Sequence, residues 1–295
     1  MATKGYLRLM QRVACVVGVA MAAWGGQVIL TQSVTNWFAI SSAVWLLLLL
    51  ASVLGLWRGS LIAFAAASLS AATVGRLFST VAIGAANSET GTSASNLLLQ
   101  VETGPGIPGF GYVSLALGAL LFAQFILRAV NAMQSSTGER EIVVQSWALT
   151  FLRVYAGLMF VPHFVGHIFA GRHQFEIYTQ YFAGLHLPLP AAQLVLAGTV
   201  EVLVAIGLTF GICTRAAASL GTIYLVLTML LGGHFTIGYV WILPDGGYEF
   251  GVFWAATCAT FIAVGGGRVS LDRTMRKNGI QQGRTWPPAV RWLFA

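Results

Sequence analysis

Apolar residues run along this chain in long blocks separated by short polar breaks. Windows of about twenty apolar residues, the length a helix needs to cross roughly 30 Å of hydrocarbon, can be drawn about eight times. They lie near 10–30, 37–57, 60–85, 112–133, 147–170, 191–212, 216–237 and 248–264. The pattern predicts an all-α fold: a polytopic membrane helical bundle of about eight transmembrane helices.

Composition points the same way, since 57% of the residues are hydrophobic and only 8% are charged, a balance foreign to soluble domains. Charge then orients the bundle, because loops retained in the cytoplasm keep Lys and Arg. With Lys4, Arg8 and Arg12 inside, eight crossings put Arg58, Arg128, Arg140, Arg215 and the tail residues Arg268, Arg273, Arg276, Lys277, Arg284 and Arg291 inside too. Arg172 is the one basic residue in a loop assigned to the outside, so both termini are expected in the cytoplasm. The net charge of +7 is thereby a topology signal and an attraction to anionic lipid, and no nucleic-acid partner is needed to explain it. The basic start, the run at 13–19 and Ala20-Met21-Ala22 have the form of a signal peptide. Apolar character continues to Leu30, however, and favours a first crossing. Cys15, Cys213 and Cys258 fall in or beside membrane windows without C-x-x-C spacing and read as small core residues.

The longest polar stretch on the cytoplasmic side, QSSTGEREIVVQS at 134–146, splits the chain into a four-helix half at 1–133 and a four-helix half at 147–267, followed by a basic cytoplasmic tail at 268–295. Four crossings in each half leave the halves in the same orientation, as parallel repeats require. Leu7-Arg8 and Leu152-Arg153 open corresponding windows, and Leu54-Gly55-Leu56-Trp57-Arg58 is similar to Phe210-Gly211-Ile212-Cys213-Thr214-Arg215. Two external loops stand out. The one at 86–109 is rich in Gly and Pro and should lie over the outer surface as an irregular cap. The one at 173–190 carries Phe175, Tyr178, Tyr181, Phe182 and Leu185, a density that suits a belt at headgroup level more than a substrate site.

Candidate chemistry is concentrated in the second half. Arg153, Ala156, Phe160, His163 and His167 succeed one another at helical spacing, so one face of the fifth helix carries three ionisable groups through hydrocarbon. All five histidines, His163, His167, His173, His186 and His234, fall in the outer part of the second half, where Glu249 joins them. Glu201 lies deeper, about 16 Å along its helix from the outer end. Such a layer can hold a metal, ligate haem iron, exchange protons with a quinone, or simply hydrogen-bond helices together. The H-x-x-x-H spacing of His163 and His167 lacks the Glu of H-E-x-x-H, and no metal ligand set is assigned. Haem would need two facing imidazoles, for which His163 or His167 with His234 are the candidates. Arg76 is a buried guanidinium with no carboxylate in the first four windows, which predicts an Arg76–Glu201 pair tying the halves together. The alternative is that Arg76 snorkels toward Glu89 or Glu102.

From about residue 147 to 275 the chain resembles the DoxX family of small bacterial membrane proteins. The matching features are Leu152-Arg153 with Gly157, His163, Glu201 followed by a Gly/Leu-rich run into Cys213-Thr214-Arg215, Glu249, and Gly265-Gly266-Gly267-Arg268-Val269-Ser270-Leu271-Asp272, which is similar to the family's G-x-G-R-x-S-L-D ending. His167 stands where the family tends to have Lys. The resemblance implies a four-helix module in the bacterial cytoplasmic (inner) membrane connected with redox processes. Its relatives include the DoxD subunit of a thiosulfate:quinone oxidoreductase, and others accompany oxidative-stress and thiol-handling systems.

Together these readings lead to a subunit or partner of a membrane oxidoreductase holding a quinone near the outer leaflet. His163, His167 and His234 would contact it, Glu201 and Glu249 would handle protons, and Arg153 would order the helix from below. Electrons would come from another redox protein, since the chain has no flavin, iron–sulfur or c-type haem motif. A non-catalytic assembly or anchoring subunit and a small-molecule transporter are the alternatives.

Overall fold

The computed structural model describes residues 2–32, 34–79, 105–136, 138–240, 246–281, 287 and 292. The described residues form only helices and their connections. The first half supplies α1 (Ala2–Thr31), α2 (Asn36–Leu56), α3 (Leu61–Ser79) and α4 (Pro108–Ser135). The second supplies α5 (Arg140–Leu158), α6 (Val161–Phe164), a π-helix (Val165–Phe169), α7 (Arg172–Gly184), α8 (Pro190–Phe210), α9 (Thr214–Leu231), α10 (His234–Ile237), α11 (Glu249–Val264) and α12 (Leu271–Gln281). Seven helical stretches among the described residues are long and apolar enough to cross a membrane, and Glu249–Val264 is a shorter apolar helix. The chain is thus a multi-pass helical membrane protein. The first crossing is one unbroken helix through the stretch that has the form of a signal peptide, and the cap expected at 86–109 lies mostly outside the described residues.

Helix ends obey local chemistry. The Thr35 hydroxyl accepts from the Phe38 N–H at the start of α2, and Pro108, Pro162 and Pro190 stand at the starts of α4, α6 and α8, where a missing N–H costs nothing. The polar stretch read as a linker is partly helical: α5 begins at Arg140, well before Trp147. In the first half, α1 packs on α2 and α4, and α3 packs on α2 and α4; in the second, α8 packs on α5, α7 and α9, and α9 on α11. The halves meet where α3 touches α5, α6 and α8, and where α2 braces the π-helix. Trp45 of α2 stacks on Phe164 and meets Phe169 edge-on, while the Trp37 indole N–H donates to the Ile168 carbonyl at 3.0 Å.

Basic residues gather at one end. Arg12 lies over the Trp57 ring, Arg128 donates to the Gly59 carbonyl, and Arg268 lies 3.6 Å from Glu139. Arg8 and Arg153, which open corresponding windows, differ in burial: Arg8 is exposed whereas Arg153 is 2% exposed. What buries Arg153 is the end of α8. Its Nη1 donates to the Leu208 carbonyl, a group that the end of α8 leaves open, and its Nη2 donates at 2.7 Å to the Val269 carbonyl in the connection before α12. Gly211 turns the chain there at φ +65°, and a Cβ at that position would sit 2.5 Å from Arg153 Nη1, so both the backbone and the close approach require glycine. Asp272 performs the reciprocal task for α9. Its carboxylate accepts from the N–H groups of Cys213 and Thr214 at 2.7 and 2.9 Å and from the Thr214 hydroxyl at 2.7 Å. The Arg-x-Ser-Leu-Asp ending is therefore a cap supplied from a distance.

Candidate functional site

The helix entered at Arg140 does not continue straight through the histidines. α5 ends at Leu158, Pro162 starts a single turn, and the π-helix carries His167. Proline removes an N–H and obstructs the preceding turn, and the extra residue of the π-turn rotates the side chains beyond it. The single face expected from Arg153 to His167 is accordingly divided. Arg153, Ala156, Phe160 and His167 are buried, but His163 is exposed.

The rotation delivers His167 to Glu201. His167 Nδ1 lies 2.8 Å from Glu201 Oε2, with both groups buried. The other carboxylate oxygen, Oε1, accepts from the Tyr224 hydroxyl at 2.5 Å. Tyr224, Glu201 and His167 thus form a side-chain chain across α9, α8 and the π-helix. The helices come close enough because Gly198 has no side chain: a Cβ there would lie 2.7 Å from Ile168 and 3.3 Å from the His167 Cβ. Tyr178 of α7 packs its edge against the His167 ring at 4.6 Å, and Phe182 lies at 6.3 Å. The aromatic loop expected to be a membrane belt is a helix that covers the buried histidine, with Gln174 and Ile177 on its inner face. Burial raises the Tyr178 phenol above its ordinary value and the Arg76 guanidinium opposes that rise, leaving a protonated phenol at neutral pH.

His163 stands beside this chain. Its ring centroid is 5.4 Å from Trp254, which is itself packed on Phe160 at 4.3 Å. Glu201, His167 and Arg76 are all close enough to act on it electrostatically. One exposed imidazole, a buried carboxylate with two hydrogen-bonded partners, and a guanidinium from the first half therefore share one region. That arrangement can hydrogen-bond an oxygen at His163 and move a proton among imidazole, carboxylate and phenol.

Other expected members sit elsewhere. Arg153 belongs to the cap at the basic end, on the other side of the break at Pro162 from His167, and is not part of this cluster. His234 Nδ1 lies 2.8 Å from the Gly246 carbonyl and holds the connection into α11. Glu249 begins α11, and its N–H donates to the Tyr239 carbonyl at 3.0 Å. The expected Arg76–Glu201 pair is not among the ion pairs of the described residues, and Glu201 bonds His167 and Tyr224. Glu89 and Glu102, the other expected partners of Arg76, lie outside the described residues. No group of three or more His, Cys, Asp or Glu side chains suited to a metal occurs among the described residues. Cys213 is unpaired, and burial with the Asp272 carboxylate pushes its thiol up, away from thiolate chemistry.

Tyr224 and Tyr178 were not among the residues expected from the sequence. A phenol inside an apolar window is a polar group that needs a partner, and that was the available signal for Tyr224.

No curated protein and no solved structure matches the chain. The DoxX family model matches residues 148–234, ending before Glu249 and the Gly-rich segment at 265–272. The matched stretch contains His163, His167, Tyr178, Glu201 and Tyr224, and over that stretch this membrane protein is DoxX-like.

Proposed function

We propose that this protein is a membrane subunit or partner of a redox system and that the region around His163 binds a quinone near the outer leaflet. The observation that carries the reading is the exposed His163 imidazole beside the buried Tyr224–Glu201–His167 chain. A quinone supplies two-electron, two-proton chemistry on a lipid-soluble ring. His163 hydrogen-bonds one ring oxygen, and the Trp254 indole gives the ring an apolar wall. Glu201 accepts or returns a proton through His167, while Tyr224 steadies the carboxylate. Electrons come from a partner redox protein.

The test is quinone extraction from gently solubilised protein, then titration with decyl-ubiquinone read by tryptophan fluorescence. Wild type should retain or bind quinone with tryptophan quenching that Trp254→Phe diminishes, and His163→Ala should lose both. A folded wild-type protein that neither retains nor binds quinone overturns the reading.

One observation favours a second reading, a non-catalytic assembly or anchoring subunit: the Glu201 carboxylate already has both oxygens bonded within the protein. On that reading, Glu201→Gln and Tyr224→Phe lower thermal stability and leave any bound quinone in place.

A further inference from the structure

We propose that the cleft between the two halves binds an anionic phospholipid, with the lipid phosphate on Arg128 at the basic end and an acyl chain lying along α3. The phosphate end of this site lies away from the histidine region, although the far end of the cleft reaches Arg76, and the proposal does not depend on that region's function.

At the basic end α3 and α4 face α5 and the end of α8 across a cavity of about 280 Å³. Its walls include Phe64, Phe125 and Trp147, and its polar lining includes Arg128, Arg153, Thr209 and Ser270. Arg128 uses Nη1 on the Gly59 carbonyl at 3.3 Å and lies over the Phe64 ring, but its Nε and Nη2 are buried without a hydrogen-bond partner. Arg153 Nε and the Thr209 hydroxyl are also buried without partners, and Arg153 is only 2% exposed. Buried donors left open are costly, and several on one cavity call for an acceptor. No Asp or Glu lines the cavity among the described residues. Asp272, which acts on Arg153 electrostatically, spends its oxygens on Cys213 and Thr214. The fitting group is an anion with several oxygens, and the guanidinium fork of Arg128 suits phosphate.

The space above the cavity selects a lipid over a free ion. The cavity shares Phe64, Phe125 and Val154 with a second cleft of about 520 Å³ that continues along α3 to Ser79. Its floor is made of small residues such as Ala71, Ala72, Gly75 and Gly118, its rim carries the exposed rings of Phe122, Phe151 and Tyr155, and Arg76 lines its far end. From Ser60 to Ser79 the slot runs along about 28 Å of helix, more than the roughly 15 Å of one leaflet that an acyl chain fills, so the lipid occupies the part next to Arg128. An apolar slot with a cationic foot at the end that the charge asymmetry places in the cytoplasm matches a glycerol-type anionic lipid, whereas a choline headgroup would set a cation beside Arg128.

Full-length protein in neutral detergent would be titrated with dioleoylphosphatidylglycerol, dioleoylphosphatidylcholine and inorganic phosphate, with bound lipid counted by native mass spectrometry. Phosphatidylglycerol should bind roughly tenfold tighter than phosphatidylcholine, and Arg128→Gln should erase that preference. Arg140→Gln, which removes an exposed charge from the same end, should leave it intact. Val154→Trp fills the junction of the two cavities without changing charge and should also expel the lipid, so the test survives a poorly folding Arg128 variant. Equal binding of the two lipids, an equal loss in Arg140→Gln, lipid retention in Val154→Trp, or competition by inorganic phosphate alone would each overturn the proposal.

Discussion

The two ends of the second half each bury charged side chains, but they spend those charges differently. At the basic end, Arg153 and Asp272 are aimed mainly at backbone: the Leu208 and Val269 carbonyls and the N–H groups at the start of α9, with the Thr214 hydroxyl beside them. At the histidine end, Tyr224, Glu201 and His167 are aimed at one another. Peptide groups do not titrate, so the first arrangement can only hold helices in place. Side chains that bond each other can exchange protons, so the second can hold helices and also do chemistry. Burial alone therefore does not mark a functional residue in this protein; the identity of the partner does.

The largest effects are expected at the basic end. Arg153→Ala should cost roughly 3 kcal/mol or more, since it removes several charge-assisted hydrogen bonds and leaves carbonyls of α8 open. Asp272→Ala should come next at about 2 kcal/mol through loss of the α9 cap. Both should appear as large falls in melting temperature in detergent, with quinone binding per folded molecule unchanged. A loss of binding in folded Arg153→Ala protein would erase the distinction between the two ends.

Glu201→Gln probes the other end and should cost less stability, about 1–2 kcal/mol, because the amide keeps the size and one acceptor of the carboxylate. Its larger effect should be on the pH dependence of quinone-linked proton uptake, a readout that a purely structural role would not move. Tyr224→Phe removes one hydrogen bond and should cost about 1 kcal/mol. If Tyr224→Phe destabilises more than Arg153→Ala, the histidine end is the main architectural one and the assignment reverses. The smallest effect belongs to Arg172→Gln. Its partner Glu176 lies 2.7 Å away, raising the Arg172 guanidinium above its ordinary value, yet both side chains are solvent-exposed. No measurable change in melting temperature is expected.

His163, His167 and Glu201 were legible as candidates because ionisable groups are rare in apolar windows. Their arrangement was less so. Pro162 was visible in the sequence as a break, but the π-turn that buries His167 and leaves His163 exposed depends on α2 bracing it through Trp37 and Trp45. Arg153 shares the helical spacing of the histidines but not their surroundings; spacing along one helix says nothing about which neighbour waits at each depth. The aromatic residues at 175–182 matched a membrane belt in composition, yet Tyr178 and Phe182 meet His167, a contact that requires the chain to fold back over its own histidine.

The membrane-spanning helical character of the chain, and the side on which its basic residues collect, can be read from the residues in order. Both rest on properties that add up locally: apolar length against bilayer thickness, and charge retained between crossings. The partner of each buried charge is instead a product of packing in three dimensions. His167 meets Glu201 across 34 residues, and Arg153 meets Val269 across 116. Those meetings depend on helix rotation, on close approaches permitted by Gly198 and Gly211, and on which helices become neighbours. Apolar faces that resemble one another in composition leave all three open until the helices pack.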